Sequence, residues 1–161
     1  MGRDLRLARL SRDHHHALTL ALRIQRELAP AGPREVAALA RDVLRYWDEA
    51  LVPHLGVEAR VLLPAVASRQ DGGLPLAGRA QREHRELAGL AAEVRGANAA
   101  TRTGILVRFG AALSAHVRWE ERELLEWAQV HLDGAALDTV GRTVAESLPA
   151  QAVPCPVPHL A

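Results

Sequence analysis

The chain has 161 residues, a formal net charge of +1 at pH 7, 48% hydrophobic and 24% charged residues, one cysteine and 3% aromatic residues. That length fits one domain with a single core, and the composition excludes a disordered chain. The near-zero charge excludes an electrostatic footprint for nucleic acid, and the lone Cys155 excludes a disulfide framework or an all-cysteine zinc site.

All 20 basic residues are arginine, scattered among Asp and Glu rather than gathered into runs. We read this as codon bias of a GC-rich genome. The opening MGRDLRLARLSRD is charged throughout and lacks the apolar core of a secretory signal. No apolar run is expected to approach the length of a bilayer span. The expectation is a soluble, cytoplasmic protein with no membrane or nucleic-acid partner.

Abundant Ala, Leu and Arg favour helix over strand. Leu7, Leu10, Ala17, Ala21, Ile24 and Leu28 recur at helical spacing and predict a first helix over about residues 4–29. After the breaker PAGP, a second is predicted over about 34–67, along Val43, Leu44, Trp47, Leu51, Val61, Leu62 and Ala65. Pro53 interrupts it, either kinking it beside His54 or ending it at Val52 with a restart. SRQDGGLPLAG reads as a loop before a third helix over about 78–96, lined by Ala80, Leu87, Ala91 and Val94. RGANAATRTG separates this from a fourth over about 103–131, with Ile105, Leu106, Phe109, Leu113, Leu124 and Trp127 inward. A short fifth helix over about 134–147 precedes a Pro-rich tail expected to be loosely ordered. The fold expected is all-α: an antiparallel up-and-down four-helix bundle with a short fifth C-terminal helix. Residues 1–148 form the bundle and 149–161 the tail.

Four histidines fall on the apolar stripes, one per long helix: His14, His54, His84 and His116. Glu58 follows His54 and Glu120 follows His116 by four residues, so each pair shares one helix face. Fewer than one such pair is expected by chance in this composition, and a lone His on an apolar face is most often a hydrogen-bonded core residue. The levels are more telling. Residues equidistant from a joining loop lie at one height in an antiparallel pair. His14 and His54 centre on position 34, Glu58 and His84 on 71, and His84 and His116 on 100, each in or beside a loop. Buried carboxylates at one level need positive charge between them, and the arginines lie mostly on outer faces. Metal cations with imidazole ligands would supply it.

RDHHHAL (12–18), PHLGVEARVLLP (53–64), REHREL (82–87) and HVRWEERELL (116–125), in that order, resemble the bacterial hemerythrin-like, or HHE, family over about residues 4–131. The resemblance implies two non-haem iron ions bridged by carboxylate and oxo groups. Glu58 and Glu120 would be the bridging carboxylates, with His14, His54, His84 and His116 as terminal ligands. Imidazole with carboxylate also suits zinc or manganese. Oxygen-carrying relatives place two histidines one turn apart on the third helix, whereas this chain has Ala80 and Ala88 around His84. His15, His16 and Glu121 are candidates for further ligands, and His15 is the alternative to His14. His131 and His159 lie outside the pattern and are expected in solvent. Trp47 either walls the site or packs in the core. An output domain is not legible in the chain, so a sensor would need a partner protein.

Three functions follow as expectations. One is binding of a diatomic ligand or peroxide (O2, NO) for sensing, storage or stress response. The second is a di-iron enzyme acting on peroxide or O2. The third is a structural bundle holding zinc or no metal.

Overall fold

The computed structural model describes residues 2–150 and 153–156. Every regular element among them is helical. We number five helices: α1, Ala8–Leu28; α2, Pro33–Ala67; α3, Gly73–Gly96; α4, residues 102–131; and α5, Gly134–Ser147. Together they form a helical bundle.

The helix ends follow local chemistry. α1 begins at Ala8 rather than near residue 4, because Arg3–Leu7 turn on themselves: Leu7 N–H donates to Asp4 O at 3.0 Å, and Asp4 Oδ1 accepts from Arg6 N–H. α3 begins at Gly73, five residues before the predicted start. Gly72 supplies the turn with φ 104°, and Pro75 falls in the first helical turn, where its missing N–H has no intrahelical partner to lose. Asp133 caps α5 by accepting the Ala136 N–H at 2.8 Å.

α2 is one continuous helix through Pro53, so it bends its hydrogen bonding rather than ending. A π-turn at Trp47–Leu51 precedes Pro53, and a second at Glu58–Leu62 precedes Pro64. A wide turn ahead of a proline moves the upstream carbonyl away from the ring. α4 carries a third π-turn, Glu120–Leu124, with no proline after it. By length and apolarity α2 would suffice to cross a bilayer, where the sequence reading expected no such run. Its Val57, Leu62, Leu63 and Val66 are buried within the bundle.

The core has two apolar layers. One joins the C-terminal half of α1 (Leu20, Ile24), the start of α2 (Leu39, Val43, Tyr46, Trp47), the end of α3 (Leu87, Val94) and the start of α4 (Leu106, Phe109, Leu113). The other joins Leu7 and Leu10, the end of α2, Ala77 and Ala80, Leu124 and Leu125, and the Leu137–Val140–Val144 face of α5. Each fully buried Leu or Phe side chain stabilises by about 2 kcal/mol. Trp47 packs edge-on against Phe109 at 6.1 Å, a core role. Val153 and Cys155 of the tail pack on the first layer, and Arg23 Nη1 donates to Pro156 O at 2.7 Å, so this part of the tail is held rather than loose. His159 lies outside the described residues.

Candidate metal centre

Between the two apolar layers lies a polar one. His14, His54, Glu58, His116 and Glu120 are the buried polar residues among those described, with both glutamates 0% exposed. α1 contributes His14, α2 His54 and Glu58, α3 His84, and α4 His116 and Glu120. The structure thus brings together all six residues singled out in the sequence.

They form two overlapping sets. His14, His54, Glu58 and Glu120 offer donor atoms within 4.8 Å of one another, and so do Glu58, His84, His116 and Glu120. Both glutamates belong to both sets. Glu58 Oε1 stands 3.2 Å from His54 Nε2, while its Oε2 stands 3.4 Å from His84 Nε2. Glu120 Oε2 lies 3.1 Å from His14 Nε2 and 3.5 Å from His116 Nε2, with Oε1 3.7 Å from His84 Nε2.

These contacts do not satisfy one another. All four carboxylate oxygens are buried with no hydrogen bond of proper geometry, as are Nε2 of His84 and Nε2 of His116. Such orphaned groups are rare in native interiors, and leaving a charged one unpaired costs several kcal/mol. The histidine tautomers sharpen the point. Nδ1 of His14 faces Glu121 and Nδ1 of His54 faces Asp13, so each Nδ1 carries a proton and donates it. In the neutral rings both Nε2 atoms are then lone pairs, and they face each other at 3.0 Å beside carboxylates. Only positive charge resolves that arrangement, as a shared proton or a cation. Two imidazoles and two carboxylates around one point suit a divalent transition-metal ion, and the residues fit such an ion at both sets.

Behind the donors stands a second set of carboxylates. Glu121 accepts from His14 Nδ1 at 2.6 Å and is itself held by Ser11 and Arg3 at 3.1 and 2.9 Å. Asp13 faces His54 Nδ1 at 3.3 Å and pairs with Arg9 at 3.1 Å. Glu83 accepts from His116 Nδ1 at 2.8 Å and from Arg79 Nε at 2.7 Å, with the Arg79 guanidinium lying over Trp119. Such partners orient the ring and raise its basicity toward a metal.

The electrostatics agree. Burial disfavours charge on His14, yet Glu120, Glu121 and Glu58 hold its pKa well above the ordinary value. His54 is lowered by burial but pushed up to about 9 by Glu58 and Asp13. His84, also opposed by burial, reaches about 9 through Glu120 and Glu58. Burial raises Glu58, and the surrounding histidines more than reverse it, holding the carboxyl well below its usual range. Without a cation His14, His54 and His84 therefore carry protons as the carboxylates' counter-charge. A metal ion must displace those protons.

Other sequence candidates sit elsewhere. His15 is exposed and His16 half-buried, the two rings meeting edge-on at 5.9 Å on the outer side of α1. Glu121 stands behind His14 and does not face the cluster. His131, expected in solvent, is half-buried and stacks on Trp127 at 4.4 Å. Of the alanines around His84, Ala80 is buried and Ala88 exposed, so only position 80 lies on the inner line. Sequence reasoning missed Asp13 and Glu83 as supports. The signal was present: each directly precedes a histidine of the cluster, yet each serves the histidine of the neighbouring helix.

No curated protein and no solved structure matches the chain. The family description that does match is the hemerythrin HHE cation binding domain, over residues 6–128, a span that holds all six donors and their three supports. The chain belongs to the hemerythrin HHE cation-binding family.

Proposed function

We propose that the chain holds two iron ions side by side in an antiparallel up-and-down four-helix bundle and presents them to a small ligand: O2, NO or peroxide. His14 and His54 would hold one ion, His84 and His116 the other, and Glu58 and Glu120 would bridge them. The observation that carries this reading is the sharing of both buried glutamates between two four-residue donor sets. Iron supplies the redox and ligand-binding chemistry when bound. The chain's own residues set the rest: the two apolar layers exclude bulk water, and Asp13, Glu83 and Glu121 hold three imidazoles in orientation. Four imidazoles and two carboxylates leave coordination positions for an exogenous ligand. Among the described residues, the buried polar groups are all donors, which favours ligand binding over turnover. A small diatomic or peroxide is the partner that fits, with a partner protein reading the signal if the chain is a sensor.

Metal analysis and an optical spectrum of aerobically loaded protein test the proposal. About two irons per chain with near-ultraviolet absorption is the expected result, and His54→Ala should lose at least one iron and most of the absorption. Zinc with a featureless spectrum, or a His54→Ala variant that keeps both irons, would overturn it. Peroxide consumption by the parent but not by His54→Ala would instead make the centre an enzyme.

A further inference from the structure

The supporting carboxylates run one way round the bundle. Asp13 on α1 reaches His54 on α2, Glu83 on α3 reaches His116 on α4, and Glu121 on α4 returns to His14 on α1. The remaining step, from α2 to α3, has no member. Among the described residues no hydrogen bond reaches Nδ1 of His84, although its Nε2 faces Glu58 and Glu120 like the others.

An internal correspondence identifies the residue that would fill the gap. HLGVEARVLL (54–63) and HVRWEERELL (116–125) align without insertion: His54 on His116, Glu58 on Glu120, Arg60 on Arg122 and Leu62–Leu63 on Leu124–Leu125. The π-turns that start at the two glutamates coincide as well. Glu121, which supports His14, then falls opposite Ala59. Ala59 is exposed, and its methyl group accepts no hydrogen bond. His84 is also the most open ligand, 11% exposed at the side chain against 3% for His14 and His116.

Resting on the two-ion reading, we infer that the gap at Ala59 makes the two metal positions inequivalent: the His84–His116 position binds its ion more weakly and fills second. Each position has two imidazoles, but only at the His84–His116 position does one of them lack a carboxylate behind it. An imidazole whose Nδ1–H meets solvent rather than a carboxylate is a poorer base and a less fixed ring, and loss of such a partner typically costs about 10–100-fold in metal affinity.

The test is stepwise addition of Zn2+ alone to the full-length metal-free chain, followed by calorimetry against a competing chelator. The parent should bind two ions in two steps. Mutual repulsion of the ions also separates steps, so the decisive readout is how each step responds to substitution. Ala59→Glu, at an exposed position, should strengthen the second step by about 10-fold and leave the first nearly unchanged. Glu121→Ala should weaken the first step and leave the second. Two ions with equal constants in the parent would overturn the inference while leaving the two-ion centre standing. So would a folded Ala59→Glu chain, by circular dichroism, whose second constant is unmoved. No ion bound by the folded parent would overturn both.

Discussion

At His14 and His54, two ring nitrogens face each other at 3.0 Å because the opposite edge of each ring is committed to a carboxylate. This frustration is local, and its consequence is a pH dependence with a definite sign. His54 and His84 have folded pKa values of about 9, above the ordinary imidazole value of about 6.5, so protons on them stabilise the metal-free fold. That contribution is fully present below pH 6.5 and is lost as pH rises through 9. Glu121 works in the other direction: burial raises it, but His14, Ser11 and Arg3 bring its pKa down to about 2. Its contribution is present above pH 4.5 and is lost as pH falls toward 2. Urea midpoints of chelator-treated protein should therefore be highest near pH 5–6 and fall on both sides. A midpoint that rises between pH 7 and 9 would contradict this account.

The helices place these residues through departures from regularity. π-turns begin at Glu58 and at Glu120, where Leu63 N–H and Leu125 N–H reach back to the two glutamate carbonyls. The same wide turn on both carboxylates supports a positioning role, which is where π-turns concentrate. The junction of α2 and α3 is tighter still. A methyl group on Gly73 would stand 1.8 Å from the Val66 carbonyl oxygen and 3.0 Å from Trp127, so backbone would have to move. Gly73→Ala should cost about 1–3 kcal/mol or more, lowering the melting temperature by several degrees. Gly89, in the same helix with nothing within 4 Å, is the control. There Ala removes backbone freedom from the unfolded chain, and stability should rise by about 0.5–1 kcal/mol. Equal melting temperatures for the two variants would refute the close approach of α3 to the end of α2.

Across the whole molecule, the polar layer divides one core into two apolar clusters, and all four long helices meet in it. A cation there ties α1, α2, α3 and α4 at one level. Binding to the folded chain and not to the unfolded one stabilises by mass action, about 2.7 kcal/mol at a hundredfold excess of free ion over Kd. For a chain of this size that raises the melting temperature by roughly 5–10 °C. Calorimetric scans with and without saturating metal measure the shift, and chelator should reverse it. An unchanged melting temperature with metal bound would mean that the ions sit outside the cluster.

Much of this was written in the chain itself. Periodicity located all five helices, because apolar spacing must follow 3.6 residues wherever one face meets a core. His-x-x-x-Glu on two helices placed the donors for the same reason, since residues four apart share a face whatever the partner helix. The start of α3 escaped that reading, because a proline breaks a helix interior but not a first turn. The supports escaped it more completely. Asp13 and Glu83 neighbour His14 and His84 in sequence, yet they face His54 and His116 across the helix contacts. Adjacent residues on a helix diverge by about 100°, so local sequence states only that such a carboxylate points away from its neighbour. Which histidine it reaches, and that His84 is left with none, is decided by how the helices pack.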